Sequence, residues 1–280
     1  MLEIEPLAQH LGAEVSGVDL SRELDAAVFQ RIEQAYNRYA VLVFRDQRIT
    51  PAQHVAFARR FGELEISPRT QFALPRHPEI LVLSNIVENG KPIGNAEAGR
   101  TWHTDLSYTR TPPRGSLLYV LEVPMRDAKA LGDTIFASTA AAYDALGPAR
   151  QKALAGLKAV HRGSAKRYAA GSKLGESVKD FPDVTHPVVR THPITGRKSI
   201  YIRAGECVGI EGMPDEEALP LIDELSGLVT RPEFLYRHRW RVGDLLMWDN
   251  STTQHLAVGD YALPLRRLMH RVTVNGSVPF

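Results

Sequence analysis

The chain has 280 residues, of which 44% are hydrophobic and 24% are charged. These are ordinary values for a globular protein, and they exclude a disordered chain, a collagen and a coiled coil. The formal net charge of +2 provides no strong field to attract nucleic acid or an anionic membrane. Apolar runs such as 117–121 are far shorter than the roughly 20 residues of a membrane span.

The N-terminal residues lack the basic and apolar regions of a secretory signal. Cys207 is the only cysteine, which excludes internal disulfides and cysteine-based zinc sites. A chain with these features is expected in the reducing cytoplasm. No repeat, low-complexity tract or long linker interrupts the sequence, so residues 1–280 are predicted to form a single domain.

The first third of the chain predicts mixed α/β structure. Apolar residues at helical spacing predict a helix over 25–40, and the run VLVFR predicts a buried strand over 41–45. A second helix is predicted over 50–62. Thr50 and Gln53 form a capping box at its start, and Gly62 suits its end.

Beyond residue 78 the pattern changes to short β-segments separated by turn residues. The predicted strands are 79–86, 116–123, 133–137, 187–190, 198–202, 234–240, 244–248 and 267–274. Helices are predicted at about 138–157 and 214–229. Many short strands around a few helices favour a mostly β fold with flanking helices, either a β-sandwich or a jelly roll, over a doubly wound sheet.

A candidate metal site begins at His103 and Asp105, because residues i and i+2 of a strand point to the same face. Two histidines and one carboxylate form a common set of metal ligands in jelly-roll proteins. The spacing alone is weak evidence, since ten histidines and 32 acidic residues give roughly one accidental match. A second match, His77 and Glu79, is set aside because Pro78 lies between them. The simpler alternative is a histidine–carboxylate hydrogen bond near a turn.

The C-terminal segment strengthens the metal interpretation. An apolar strand over 244–248 runs into a polar turn, and His255 follows, which would bring a third ligand from a distant strand. In the next segment, Arg267, Met269 and Arg271 share one strand face. If that face is interior, both arginines need anions, because an unpaired buried guanidinium is costly. The alternative is a solvated edge strand.

The chain contains a series of motifs in a fixed order: LGAEVSGVDLS, VLVFRDQRITPAQ, FARRFGEL, WHTD, LGDTIFAS, RHRWRVGDLLMWDN, TTQH and RRLMHRVT. This series resembles that of the taurine/2,4-dichlorophenoxyacetate dioxygenase family, which consists of non-haem Fe(II), 2-oxoglutarate-dependent oxygenases. The resemblance covers nearly the whole chain. It implies a double-stranded β-helix (jelly roll) core, Fe(II) as cofactor, and 2-oxoglutarate and O₂ as cosubstrates.

Residue by residue, the resemblance assigns the iron ligands to His103, Asp105 and His255. Three protein ligands leave three positions on six-coordinate iron, two for 2-oxoglutarate and one for O₂. Leu106 falls where the backbone of the family contacts substrate.

The same resemblance assigns the carboxylate-binding residues. Thr134 and Arg267 match the threonine and arginine that bind the distal carboxylate of 2-oxoglutarate, and Arg271 matches the arginine that meets the substrate's acid group. Arginine suits both roles because its guanidinium pairs with a carboxylate through two hydrogen bonds. The face assignment from strand periodicity agrees with these roles.

The sequence departs from the taurine pattern at three positions. Ser67, Thr70 and Gly99 stand where taurine enzymes have a histidine, an aromatic residue and an asparagine. Small residues remove contacts for a compact zwitterion and leave space for a bulkier body. We therefore expect a small anionic organic acid as substrate, with an aryloxyalkanoate favoured and taurine, alkyl sulfonates or sulfates as rivals, and C–O or C–S cleavage after hydroxylation.

Other classes of protein are less well supported. A non-catalytic jelly-roll binding protein would lack a ligand, and a halogenase would lack Asp105. The alternating Arg237, Arg239 and Arg241 predict a strand with one solvated basic face rather than a nucleic-acid site. Three further histidines without carboxylates at ligand spacing are expected on the surface or in turns: His161, His186 and His192. The family resemblance also implies a homo-oligomer.

Overall fold

A computed structural model describes residues 1–66, 70–96, 99–163 and 181–280; Ser67 lies outside the described residues. The helices of this part of the chain are α1 Ala26–Tyr39, α2 Pro51–Arg59, α3 Thr139–Asp144, α4 Pro148–Leu154 and α5 Asp215–Val229. The strands of its first half are β1 Glu3–Pro6, β2 Ala13–Ser16, β3 Val41–Phe44, β4 Ala73–Leu74, β5 His77–Ser84, β6 Val87–Glu88, β7 Lys91–Pro92, β8 Gly115–Glu122, β9 Met125–Arg126, β10 Lys129–Ala130 and β11 Thr134–Ser138. The strands of its second half are β12 Lys158–His161, β13 Val184–Pro187, β14 Val189–Thr191, β15 Lys198–Ile200, β16 Cys207–Ile210, β17 Leu235–His238, β18 Leu245–Asp249, β19 Thr253–Ala257 and β20 Leu268–Val274. The predicted mostly β chain with flanking helices is confirmed.

Local capping accounts for the first two helices. The Asp25 side chain accepts a hydrogen bond of 2.7 Å from the Val28 amide at the start of α1. At the start of α2, Thr50 and Gln53 form the predicted capping box. A cap of this kind contributes about 1 kcal/mol to helix stability.

An eight-stranded sheet forms the largest layer, in the order β1-β2-β3-β18-β8-β20-β5-β4. The side chains on its two faces pack in two different hydrophobic clusters, and the alternating residues of β3 illustrate this. Leu42 and Phe44 pack with residues of α1 and α2 on one face. Val41 and Val43 pack with the second cluster on the other. The helices therefore cover one face of the sheet, and its opposite face is the interior of the β-structure.

A three-stranded sheet, β17-β11-β19, packs against that interior face. Phe136 of β11 lies in the same cluster as Val43 and Met269 of the large sheet, which places the face shared by Arg267, Met269 and Arg271 between the two sheets. The predicted interior face of β20 is confirmed. On β17 and the residues after it, Arg237, Arg239 and Arg241 are exposed, as expected for a solvated basic face.

A third hydrophobic cluster joins α3, α4 and α5 to the strands β12, β14, β15 and β16. The single helix expected at 138–157 is two helices, because Gly147 and Pro148 separate α3 from α4. Pro148 suits the first position of a helix but interrupts an existing one.

The expectation that three further histidines lie on the surface or in turns is wrong as regards their exposure. His161, His186 and His192 are all buried, with 2%, 2% and 4% of their surfaces exposed. His161 and His186 lie on the paired strands β12 and β13, and His192 contacts the Asp249 carboxylate through Nε2 at 3.1 Å. The sequence spacing missed this carboxylate because it is 57 residues away. No helix in the described residues has the length and hydropathy to cross a membrane.

Candidate functional site

The three predicted metal ligands come together in the fold. His103, Asp105 and His255 are buried, and one potential ligand atom from each lies within 4.8 Å of the others. In the part of the chain that the structure describes, no other group of three such side chains lies this close together. The rival pair, His77 and Glu79, is not part of this group. Glu79 instead forms an ion pair of 2.6 Å with Arg59 at the start of β5.

Backbone pairing positions the two histidines. The amide of His103 donates to the carbonyl of His255 at 3.0 Å, and the reverse bond measures 2.8 Å. The ring centroids lie 4.0 Å apart. The sequence predicts His103 and Asp105 on one strand, but His103 forms an isolated bridge and Asp105 begins the turn that follows. A one-residue bridge and a tight turn thus replace the strand while still bringing both side chains to one site.

Hydrogen bonds to neighbouring residues orient the first two ligands. Nδ1 of His103 lies 2.8 Å from the Thr101 carbonyl, and since a carbonyl can only accept, this contact places the proton on Nδ1. Nε2 is then the ring nitrogen that faces Asp105, 3.8 Å from Oδ1, and the contact at Nδ1 fixes the orientation of the ring. The Ser116 hydroxyl donates to Oδ2 of Asp105 at 2.7 Å. A carboxylate and two imidazoles oriented in this way are a suitable donor set for a first-row divalent metal.

The charge state of Asp105 also suits a metal ligand. Burial by itself would raise the pKa of this carboxyl, but attraction to Arg271, His255 and His103 and the hydrogen bond from Ser116 outweigh burial. The pKa therefore lies well below its usual range, and Asp105 is a carboxylate at neutral pH.

Arg271 and Leu106 both lie next to Asp105. Nη1 of Arg271 is 3.3 Å from Oδ1 of Asp105, so its guanidinium lies directly beside the ligand set. Leu106 follows Asp105 with a φ of 48°, a left-handed conformation that is uncommon for a residue other than glycine. Its carbonyl accepts hydrogen bonds of 2.9 Å from the amide and the hydroxyl of Thr109, which closes the turn.

Arg267 is a buried cation without a carboxylate partner among the described ion pairs. Only 7% of its surface is exposed, and its hydrogen bonds, to the Tyr261 hydroxyl and the Gly132 carbonyl, are both 3.4 Å long. Its Nε has no hydrogen-bond partner in the described residues. Burial lowers the pKa of this guanidinium. Because a buried charge is costly when unpaired, this arrangement suits an anionic ligand.

Thr134 is buried on β11, whose Phe136 pairs with His255 of β19. The Trp240 indole donates to the Thr134 hydroxyl at 3.1 Å. Because the indole can only donate, it occupies an acceptor position of the hydroxyl, whose own proton remains able to bind an anion.

Gly99 lies beside His103. It has a φ of +76°, and a Cβ at this position would stand 3.1 Å from Cε1 and 3.7 Å from Nε2 of the His103 ring. Thr70 is exposed, in a short 3₁₀ turn over Thr70–Phe72. The structure thus places Gly99 at the site but gives Thr70 no described contact there.

Sequence reasoning missed three residues that support this site: Ser116, Tyr261 and Trp240. Each contacts a predicted site residue through an ordinary side-chain donor or acceptor. The Ser116–Asp105 and Trp240–Thr134 contacts join residues 11 and 106 positions apart. No local motif marks such contacts.

Two facing β-sheets enclose a buried histidine–carboxylate–histidine set that could hold a metal ion, with two interior arginines beside it that could bind anions. The profile of the taurine catabolism dioxygenase TauD, TfdA family matches residues 3–273. The chain belongs to this family.

Individual relatives agree with this assignment. The chain is 36% identical to an alpha-ketoglutarate-dependent 2,4-dichlorophenoxyacetate dioxygenase of Cupriavidus pinatubonensis, covering 96% of both chains. It is 34% identical to an alpha-ketoglutarate-dependent sulfate ester dioxygenase of Pseudomonas putida, covering 99% of this chain and 91% of the relative. The crystal structure of AAD-2 in complex with Mn(II) and N-oxalylglycine superposes with a TM-score of 0.82 at 33% identity, covering 100% of this chain and 99% of AAD-2.

Proposed function

We propose that this protein is an Fe(II)- and 2-oxoglutarate-dependent dioxygenase that uses O₂ to hydroxylate a small organic acid. The observation that carries the proposal is the buried set of His103, Asp105 and His255, with ligand atoms within 4.8 Å of one another. These three residues would hold the iron, which supplies the activation of O₂ and the oxidative decarboxylation of 2-oxoglutarate when bound. A carbon that bears both the new hydroxyl and an ether or sulfur substituent is unstable, so it would become a carbonyl. The C–O or C–S bond would break, and the substituent would leave with the hydroxyl proton as an alcohol, sulfate or sulfite.

The chain's own residues would bind and orient the cosubstrate. Arg267 would pair with the distal carboxylate of 2-oxoglutarate, and Thr134 would donate its hydroxyl proton to the same group. In support, the buried Arg267 side chain has only neutral oxygens as its hydrogen-bond acceptors in the described residues. The Trp240 indole donates to the Thr134 hydroxyl, which leaves the hydroxyl proton available to an anion. Burial of both residues also excludes water, which strengthens a charge-assisted hydrogen bond.

The substrate would be held by Arg271 and by the backbone of Leu106. Arg271 lies 3.3 Å from Asp105, so an acid group bound to it would lie next to the metal ligands. On the interior face, Arg271 pairs with Leu81 of β5 and Leu118 of β8, which are both buried. A cation flanked by two leucines favours an acid with an apolar body.

Gly99 adds no space for the substrate, since a Cβ there would stand 3.1 Å from Cε1 of His103, and the two leucines beside Arg271 are what favour an apolar body. We therefore propose an aryloxyalkanoate-like carboxylate as the substrate. The rival is an alkyl sulfonate or sulfate ester, or taurine itself, since a guanidinium also pairs with these anions. The similarity to the sulfate ester dioxygenase, at 34% identity, favours the sulfate ester among these rivals.

A panel of aryloxyacetates, aryloxypropionates, alkyl sulfonates, alkyl sulfates and taurine tests the substrate, with succinate release as the readout. We expect the highest kcat/KM with a bulky aryloxy acid. Faster turnover of taurine than of every bulky acid would contradict this assignment.

The reaction class is tested without knowledge of the substrate. The Fe(II)-loaded protein is expected to release CO₂ from 2-oxoglutarate slowly by uncoupled decarboxylation, and His103→Ala is expected to abolish this release while the far-UV circular dichroism spectrum is retained. His77→Ala is the matched control, since His77 belongs to the rejected histidine–acid pair. Full activity in His103→Ala, or loss of activity in His77→Ala alone, would overturn the ligand assignment.

The remaining proposals concern the whole chain. We propose that the two facing sheets form a double-stranded β-helix (jelly roll) core and that residues 1–280 are one domain. The hydrophobic cluster shared by both sheets supports this. A cytoplasmic location is supported by the single, buried Cys207. A homo-oligomer remains a proposal from the family resemblance, to be measured by sedimentation.

A further inference from the structure

Tyr261 contacts the Arg267 guanidinium through both its hydroxyl and its ring. Its hydroxyl accepts from Nη1 of Arg267 at 3.4 Å, and its ring centroid lies 5.7 Å from the guanidinium carbon. The guanidinium of Arg100 lies over the same ring at 5.0 Å. The tyrosine is itself buried, with 9% of its surface exposed.

The position of the Tyr261 ring depends on Gly132. This glycine has a φ of +73°, and a Cβ there would stand 2.8 Å from Cε1 of Tyr261, which is closer than packed carbon atoms allow. The ring therefore packs directly on the glycine backbone. The Gly132 carbonyl is also the second acceptor for Arg267, at 3.4 Å from Nη2.

The loop that carries Tyr261 is fastened to the same glycine. The amide of Gly132 donates to the Asp260 carboxylate at 2.7 Å, and the amide of Val258 donates to the Asp133 carbonyl at 2.8 Å. Gly132 and Asp133 directly precede Thr134, so one short segment supports both groups assigned to the distal carboxylate of 2-oxoglutarate. The only described acceptors of the Arg267 side chain are the Tyr261 hydroxyl and the Gly132 carbonyl, which this segment and this loop supply.

We propose that Tyr261 is a positioning residue for cosubstrate binding: it holds the Arg267 guanidinium in the orientation that receives the distal carboxylate of 2-oxoglutarate. This inference rests on the proposed function, because it assumes that Arg267 binds that carboxylate. A guanidinium held only by long bonds to neutral oxygens keeps its donors for the ligand, whereas a carboxylate in place of Tyr261 would compete for them. The ring adds a cation–π contact and excludes water from one side of the cation.

The test uses Tyr261→Phe, which removes the hydroxyl and keeps the ring, and Tyr261→Leu, which removes both. Binding of N-oxalylglycine to the Mn(II)-loaded protein is measured by calorimetry. The hydroxyl contact is long, at 3.4 Å, so its loss is expected to cost no more than an ordinary hydrogen bond, which predicts about twofold to tenfold weaker binding for Tyr261→Phe. We expect a larger loss for Tyr261→Leu. In the Fe(II)-loaded enzyme, KM for 2-oxoglutarate is expected to rise while kcat at saturating 2-oxoglutarate stays within about twofold.

Tyr236→Phe is the matched control, because the Tyr236 hydroxyl contacts His238 at 3.1 Å and makes no described contact with Arg267. It is expected to leave the affinity for N-oxalylglycine unchanged. Wild-type affinity in Tyr261→Phe and Tyr261→Leu would overturn the inference, as would an equal loss in the Tyr236→Phe control. If Tyr261→Leu does not fold, wild-type affinity in Tyr261→Phe alone rejects the role of the hydroxyl.

The same titrations separate this inference from the proposed function. If the wild-type protein bound neither 2-oxoglutarate nor N-oxalylglycine, the proposed function itself would fail. If wild type bound both ligands and an Arg267 substitution abolished binding while the Tyr261 variants matched wild type, only the inference about Tyr261 would fail.

Discussion

Replacement of Arg267 with methionine is expected to weaken the binding of 2-oxoglutarate without lowering the stability of the metal-free protein. The side chain is 7% exposed, and its described partners are two neutral oxygens at 3.4 Å. Methionine has a similar length and is uncharged, so it fills the site without burying a cation. The affinity for 2-oxoglutarate should fall, while the stability of the metal-free protein should not.

The magnitude of each change follows from the burial of the guanidinium. Loss of one partner of a buried, hydrogen-bonded charge pair costs about 2–5 kcal/mol, which corresponds to roughly 30-fold to 4,000-fold weaker binding of 2-oxoglutarate. In the metal-free, ligand-free protein the cation forms no ion pair with a carboxylate among the described residues, and Asp260 attracts it only from beyond ion-pair distance. Its removal is therefore expected to leave the free energy of unfolding unchanged or to raise it, by up to about 4 kcal/mol.

Two assays measure these effects. Calorimetric titration of the Mn(II)-loaded protein with N-oxalylglycine gives the affinity, and urea unfolding of the metal-free protein gives the stability. Arg266→Met is the control, because Arg266 is exposed and forms a bidentate ion pair with Glu122 at 2.9 and 3.0 Å. Wild-type affinity in Arg267→Met would refute the carboxylate role. A loss of more than about 2 kcal/mol in stability would show that Arg267 stabilises the empty fold.

Three other substitutions have distinct expected outcomes. Ser116→Ala removes the 2.7 Å hydrogen bond to Asp105, so metal affinity in a competition titration should fall about 10-fold to 100-fold; unchanged affinity would contradict the orienting role. Arg271→Ala should retain uncoupled 2-oxoglutarate decarboxylation but lose saturation by the organic acid, and a matching loss of 2-oxoglutarate affinity would argue against separate roles for the arginines. Burial lowers the pKa of His54 to about 3, whereas in the unfolded chain it is about 6.5. The unfolded state thus binds more protons between these values, and the stability that His54 contributes is lost as pH falls from 6.5 towards 3. His54→Leu should reduce the difference in urea stability between pH 7.5 and pH 5; an undiminished difference would exclude His54 as its source.

Features that depend only on neighbouring residues could be predicted from the amino-acid order. The capping box of Thr50 and Gln53 sets the start of α2 because its hydrogen bonds span only three positions. Strand alternation placed Arg267 and Arg271 on one shared face, because the side-chain period of a strand is a local property; the packing of Met269 shows that this face is interior. The ordered motifs carried the family assignment, which the match over residues 3–273 confirms.

Contacts between distant parts of the chain could be seen only in the folded protein. The bridge between His103 and His255 joins residues far apart in the chain, and Ser116 reaches Asp105 from a different strand. The burial of His161, His186 and His192 could not be predicted either. It results from packing between strands whose pairing is not visible in any local sequence pattern. The long contacts of Tyr261 and Gly132 with Arg267 arise in the same way. Local sequence limits which backbone conformations and faces are available, whereas the distances within a site depend on how separate strands and loops pack together.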